Sequence, residues 1–147
     1  MSQLSGQALI HAPLNKVYHT LLEPSEQLRW NSLYLAVQVQ PSGEITNQTV
    51  MTGTFKGSGK ATVSFEKVIR DQEFTHRSQM RLFNLLALGQ FRHKYEVAAQ
   101  GEQTLVTQTV TFEPRGLGKL LERVILNGFR SRLPESFAEL GRYVNTI

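Results

Sequence analysis

The chain contains no cysteine. Disulfides, a thiolate nucleophile and a thiolate-held metal are excluded together, and a reducing cytoplasm is the default expectation. Long apolar runs are missing too. The longest, Leu82 to Leu88, is interrupted by Asn84, whereas a membrane-spanning helix needs roughly 18 apolar residues. Met1-Ser2-Gln3-Leu4 offers neither a basic stretch nor an apolar one, so no secretion signal is visible. There is one tryptophan, charged residues make up only 19%, and no internal repeat or linker interrupts the 147 residues. This is the profile of an ordinary globular chain, read as one domain over residues 1–147 with one core.

What charge there is lies unevenly. The net charge is +4. Lys56, Lys60, Lys67, Arg70, Arg77, Arg81, Arg92 and Lys94 face only Glu66, Asp71 and Glu73 in the middle of the chain. Such a basic surface either attracts an anionic partner or is a solvated face with a positive bias, and the second is the commoner case.

Periodicity divides the chain into three parts. Residues 4–11 read as a strand, and Ala12-Pro13 switches it to a helix carrying Leu14, Val17, Tyr18, Leu21 and Leu22 at helical spacing. Pro24 ends that helix and starts a further turn. Leu33, Leu35, Val37 and Val39 then alternate as a strand up to Pro41-Ser42-Gly43. Hairpin arithmetic predicts the rest of a sheet. A two-residue turn at Asp71-Gln72 pairs Lys67 with His76, Phe65 with Ser78 and Val63 with Met80. A turn at Gly101-Glu102 pairs Val97 with Val106, Tyr95 with Gln108, His93 with Val110 and Phe91 with Phe112. A three-residue connection at Gly57-Ser58-Gly59 sets Phe55 against Ala61. Opposed residues share a face, so these registers gather the large apolar side chains on one side and leave Arg70, Arg77, Arg81, Arg92, Lys94, Thr107 and Thr109 on the other. From Gly116 to Ile147 the period becomes helical, through Leu117, Leu120, Leu121, Val124, Gly128, Leu133, Phe137, Leu140 and Val144. Pro134 predicts a kink or break near Arg130–Leu133.

The order strand, two helices, six strands and long helix, together with Ile10-His11-Ala12-Pro13, Val17-Tyr18 and Trp30, resembles the helix-grip superfamily. That group includes START lipid-transfer domains, birch-pollen-allergen-like proteins and, nearest in character, small bacterial polyketide cyclase/dehydrase-like members. The Pro-Trp-Cys signature of its ubiquinone-binding branch is replaced here by Leu28-Arg29-Trp30-Asn31. The resemblance covers essentially the whole chain. It implies an α+β fold in which a curved antiparallel sheet of about seven strands wraps round a long C-terminal helix. It also implies a cavity between sheet and helix that takes a hydrophobic or amphipathic small molecule such as a lipid, isoprenoid or polyketide-like compound.

The expected wall combines Met51, Phe55, Val63, Phe65, Met80, Phe91 and Val110 from the sheet with Val124 and Gly128 from the last helix, and Trp30 closes one end. Polar residues on the same inward face, namely His76, His93, Tyr95 and Gln108 with Lys67 near its edge, need partners, and a few convergent polar groups in an apolar hollow are the usual form of a ligand site. Carrier or sensor is the first reading. The alternative is a cyclase/dehydratase-like enzyme using His76 or His93 with Tyr95 as acid and base. No cofactor is expected. Two histidines with His11 and His19 remote are too few for a metal site. Gly57-Ser58-Gly59-Lys60 lacks the following helix of a phosphate loop and reads as a hairpin tip. Nucleic acid is not an expected partner, because the aromatics point inward rather than interleaving with the basic face. Leu82–Leu88 is read as a lid, an interface of a homodimer or a site of transient membrane contact, and the chain as monomer or homodimer.

Overall fold

The computed structural model describes residues 2–82 and 85–147. It runs β1 (Ser2–Ile10), α1 (Leu14–Leu22), α2 (Pro24–Trp30), β2 (Tyr34–Gln40), β3 (Val50–Phe55), β4 (Gly59–Ile69), β5 (Glu73–Leu82), β6 (Leu86–Gln100), β7 (Gln103–Pro114) and α3 (Gly118–Val144). The strands make one antiparallel sheet in the order β1-β7-β6-β5-β4-β3-β2. This is an α+β fold with a long C-terminal helix. The two strands earliest in sequence lie at opposite edges, and α1 and α2 carry the chain between them. Every later strand pairs with its predecessor, so each connection is a hairpin.

The register of β6 with β7 follows the hairpin arithmetic, with Phe91 opposite Phe112, His93 opposite Val110, Tyr95 opposite Gln108 and Val97 opposite Val106. His76 lies opposite His93, and a bulge between Met80 and Arg81 shifts the register nearer the β5–β6 connection. Phe83 and Asn84 in that connection fall outside the described residues. Two other expectations need correction. The β4–β5 loop has three residues, Arg70 to Gln72, because Asp71 takes a positive φ of 58°. Ile69 therefore opposes Glu73, and a bulge between Phe65 and Lys67 restores the parity, so that Phe65 opposes His76 and Val63 opposes Ser78. The extra residue re-aims the strand end. Val68 turns inward, and Lys67 turns outward onto Glu73 instead of edging the interior. In the β3–β4 hairpin Phe55 opposes Gly59 rather than Ala61. That shift of two keeps every side chain on its expected face. A bulge also interrupts β2 between Tyr34 and Ala36, leaving Leu35 exposed and turning Tyr34 inward.

α3 runs without a break through Pro134, so of the expected kink or break the break does not occur. Its apolar stripe changes face instead. Leu133, Phe137, Leu140 and Val144 are buried against the sheet and α1, whereas Leu117, Leu120, Leu121 and Val124 are all exposed. The cause is the five-residue step from Gly128 to Leu133. At about 100° per residue it moves the stripe to roughly the opposite side of the helix. The C-terminal half of α3 thus closes the core, together with Val17, Leu21, Val106, Val110 and Phe112. Its first turn is pinned differently, through Gly118. A Cβ there would lie 1.6 Å from the Leu88 carbonyl oxygen, so only glycine permits the approach. Among the described residues no helix is long and apolar enough to cross a membrane.

Candidate functional site

Between the concave face of the sheet and the middle of α3 lies a partly open cavity of about 180 Å³. On the usual allowance for a buried water, that space holds on the order of ten waters or one modest organic molecule. Its apolar wall is built from Phe55, Ala61 and Val63 on β3 and β4, Met80 and Phe91 on β5 and β6, and Phe129 and Leu133 on α3. Phe129 reaches down from the helix onto Phe91, with ring centroids 4.5 Å apart, and onto His93 at 5.7 Å. Lys56, Ser58, Gln79 and Arg81 mark the end near the β3–β4 hairpin.

The polar lining is concentrated on β5, β6 and β7. Gln108 donates from Nε2 to the Tyr95 hydroxyl at 3.0 Å and lies 3.4 Å from His93 Nδ1. The His76 and His93 rings are 5.2 Å apart. Burial, reinforced by the neighbouring His93, pushes the His76 imidazole down to about 3, and burial alone holds His93 at about 4. Both rings are therefore neutral at pH 7. Burial raises the Tyr95 and Tyr34 hydroxyls well above the ordinary phenol range, so both keep their protons. His76 Nδ1 is buried and has no hydrogen-bond partner among the described residues.

Among the described residues, the charged group set into this wall from α3 is Arg132. Its Nη2 donates to Asn31 Oδ1 at 3.1 Å and to the Glu139 carboxylate, and its Nη1 reaches Glu135 at 3.3 Å. Asn31 is held in turn by donating to Gln27 Oε1 at 2.9 Å, and Gln27 by donating to the Leu21 carbonyl at 2.7 Å. The corner between α1 and α2 thus sets the position of a guanidinium on α3. Burial works to raise the Glu139 carboxyl, but hydrogen bonds from Ser32 and Arg132 outweigh it and hold it below the usual range. Glu139 stays an anion and balances Arg132. The Arg132 Nε–H is left buried and unpartnered among the described residues.

Of the residues expected from sequence, Phe55, Val63, His76, Met80, Phe91, His93, Tyr95 and Gln108 line this cavity. Met51, Phe65 and Val110 are packed into the core beneath it. Trp30 is buried at the α1–α2 corner, where its indole donates to the Thr20 carbonyl at 3.0 Å. Val124 is exposed and Gly128 faces open space, because both belong to the part of the α3 stripe that turns outward. Sequence reasoning passed over Asn31, Tyr34, Phe129, Arg132 and Ser136, which also line the cavity, as does Ser78 of the inward face. A signal for the helix residues was present: Phe129, Arg132, Leu133 and Ser136 recur at helical spacing, with a cation in the middle of the row.

On the outer face four of the basic residues, Lys67, Arg77, Arg92 and Lys94, are paired with acids. Glu66 accepts from Arg92 Nε at 3.0 Å and lies 3.3 Å from Arg77, and Glu73 lies between Lys67 and Lys94. That surface is a solvated ion-pair lattice. The cavity is the concave feature of interest.

Residues 1–145 match the family described as polyketide cyclase/dehydrase and lipid transport. The chain belongs to that family. Solved structures share its helix-grip architecture over nearly the full length. Protein MLL2253 from Mesorhizobium loti superposes with a TM-score of 0.77 at 12% identity, covering 99% of this chain and 98% of that one. Ara h 8.0201 superposes at 0.76 and 13%, with 99% of each chain covered. TTHA0849 from Thermus thermophilus superposes at 0.71 and 15%, covering 99% and 98%. At these identities the likeness is one of fold. None of the curated proteins matches the sequence. Membership in the polyketide cyclase/dehydrase and lipid transport family is consistent with a cavity that takes an apolar molecule.

Proposed function

We propose that the protein binds one small, largely apolar molecule carrying an uncharged oxygen function, a hydroxyl or a carbonyl, and that it acts as a carrier or sensor. The observation that supports this reading is a pair of buried polar atoms without partners among the described residues, Arg132 Nε and His76 Nδ1, each on a side chain that lines the cavity and just behind its surface. A buried N–H without an acceptor is costly, and an oxygen of a bound ligand satisfies it. The charge balance argues for a neutral ligand. Arg132 is already neutralised by Glu139, and both histidines are neutral. A carboxylate brought beside these groups would be desolvated with no uncompensated cation among them to meet it.

The same chemistry favours binding over catalysis. An efficient general acid or base has a pKa near the working pH. Imidazoles held at about 3 and about 4 are weak bases and are not protonated acids at pH 7. Calorimetric titration with a medium-chain ketone, the matching alcohol and the carboxylic acid of equal length tests the reading. Ketone and alcohol are expected to bind one to one, with the acid at least roughly tenfold weaker at pH 7, because the other cations of the lining, Lys56 and Arg81, stand at the β3–β4 hairpin end and not beside Arg132 and the histidines. Ser78→Phe, which places a ring in the cavity, is expected to abolish all three. Equal binding of acid and ketone, or binding unaffected by Ser78→Phe, overturns it.

A further inference from the structure

The first half of α3 presents apolar side chains to solvent where a core stripe was expected. Leu120 is 81% exposed and Val124 70%, with Leu117 and Leu121 beside them on the same face. Leu85, at 89%, and Leu86 are exposed at the start of β6 as well. The Arg115 amide donates to the Leu88 carbonyl at 2.9 Å, and that contact ties the entry of α3 to the start of β6. One flank of the stripe borders the cavity: Leu121, Ile125, Gly128 and Arg132 follow at steps of four, three and four, and Arg132 is in the cavity wall. The other flank is cationic. Lys119, Arg123 and Arg130 recur there, and the single acid among residues 118–131, Glu122, accepts instead from the Ser2 hydroxyl.

We infer that this face docks on an anionic lipid surface, with the leucines entering the boundary of the acyl chains and the cations meeting the headgroups. A helix face with exposed Leu and Val beside Lys and Arg has the chemistry of an interfacial membrane anchor. Charge complementarity decides between occupants. A second copy of this chain would bring Lys119, Arg123 and Arg130 against their own kind, whereas an anionic bilayer satisfies the leucine stripe and the cationic flank at once. The purpose of docking rests on the carrier reading above: a cavity that shares an edge with the inserted face loads an apolar molecule without releasing it into water.

Co-sedimentation with vesicles of phosphatidylcholine alone and with about 30% phosphatidylglycerol tests this, since each cation near an anionic surface strengthens binding by on the order of fivefold. The protein is expected to bind the anionic vesicles at least roughly tenfold more tightly, with the preference shrinking as salt is raised. Leu120→Glu/Val124→Glu, at exposed positions, is expected to abolish vesicle binding without changing the melting temperature. Titration of both proteins with the ketone runs alongside, so that a carrier that binds no ketone is told apart from a carrier that binds no membrane. Absence of vesicle binding, equal binding to both vesicle types, or a dimer in sedimentation equilibrium that the double variant dissolves, overturns the inference.

Discussion

His76 and His93 face each other across β5 and β6 with ordinary solution values near 6.5 driven down to about 3 and about 4. The sign of the consequence is fixed. Below pH 6.5 the unfolded chain takes up protons that the folded chain refuses, so stability falls as pH is lowered and levels off only below the folded values. Each histidine contributes at most about 1.4 kcal/mol per pH unit across that window. His76→Leu/His93→Leu is expected to flatten the dependence between about pH 6 and 4.5 relative to the native chain, as measured by urea unfolding; parallel curves for the two proteins would contradict it. Alternation puts both rings on the inward face of the sheet, as the sequence pattern predicts, and the β5–β6 register sets them opposite each other. The role of Arg132 was not legible in this way. Its spacing with Phe129, Leu133 and Ser136 puts it on one row of the helix, but what holds the guanidinium there is Asn31, about a hundred residues away, together with Glu139.

At the scale of elements, the entry and the middle of α3 make opposite demands on glycine. Gly118 touches the backbone of Leu88, while Gly128 meets open space within the helix. Gly118→Ala is expected to lower stability by about 3 kcal/mol, because the obstruction is backbone and cannot turn aside. Gly128→Ala is expected to raise it by about 0.5–1 kcal/mol through helix propensity alone. Thermal melts of the two variants check both signs. Strands were readable where the chain alternates strictly, as in the β6–β7 hairpin, and slipped wherever one residue was inserted. The bulges at Glu66 and Leu35 and the three-residue β4–β5 loop leave no pattern of their own in the sequence. The change of face along α3 was present as a single five-residue step, from Gly128 to Leu133, which a count of apolar residues overlooks.

At the scale of the molecule, one half of a helix seals the sheet and the other half does not. Leu133, Phe137, Leu140 and Val144 close the core against α1 and the β1 side of the sheet. Over β4, β5 and β6 the concave face is wider than Phe129 and Leu133 can fill, and the cavity is the remainder. The helix-grip architecture was legible from the order of elements, and the existence of a hollow follows from laying one long helix across a curved sheet. Which side chains border it was legible only in part, since that depends on the rotation of α3. The most direct test is a methyl and aromatic NMR titration with the medium-chain ketone. The account predicts saturable shifts confined to Val63, Met80, Phe91, His93, Phe129 and Leu133, leaving Val17, Leu140 and Val144 unmoved; no saturable shift, or shifts centred outside the cavity wall, would contradict it.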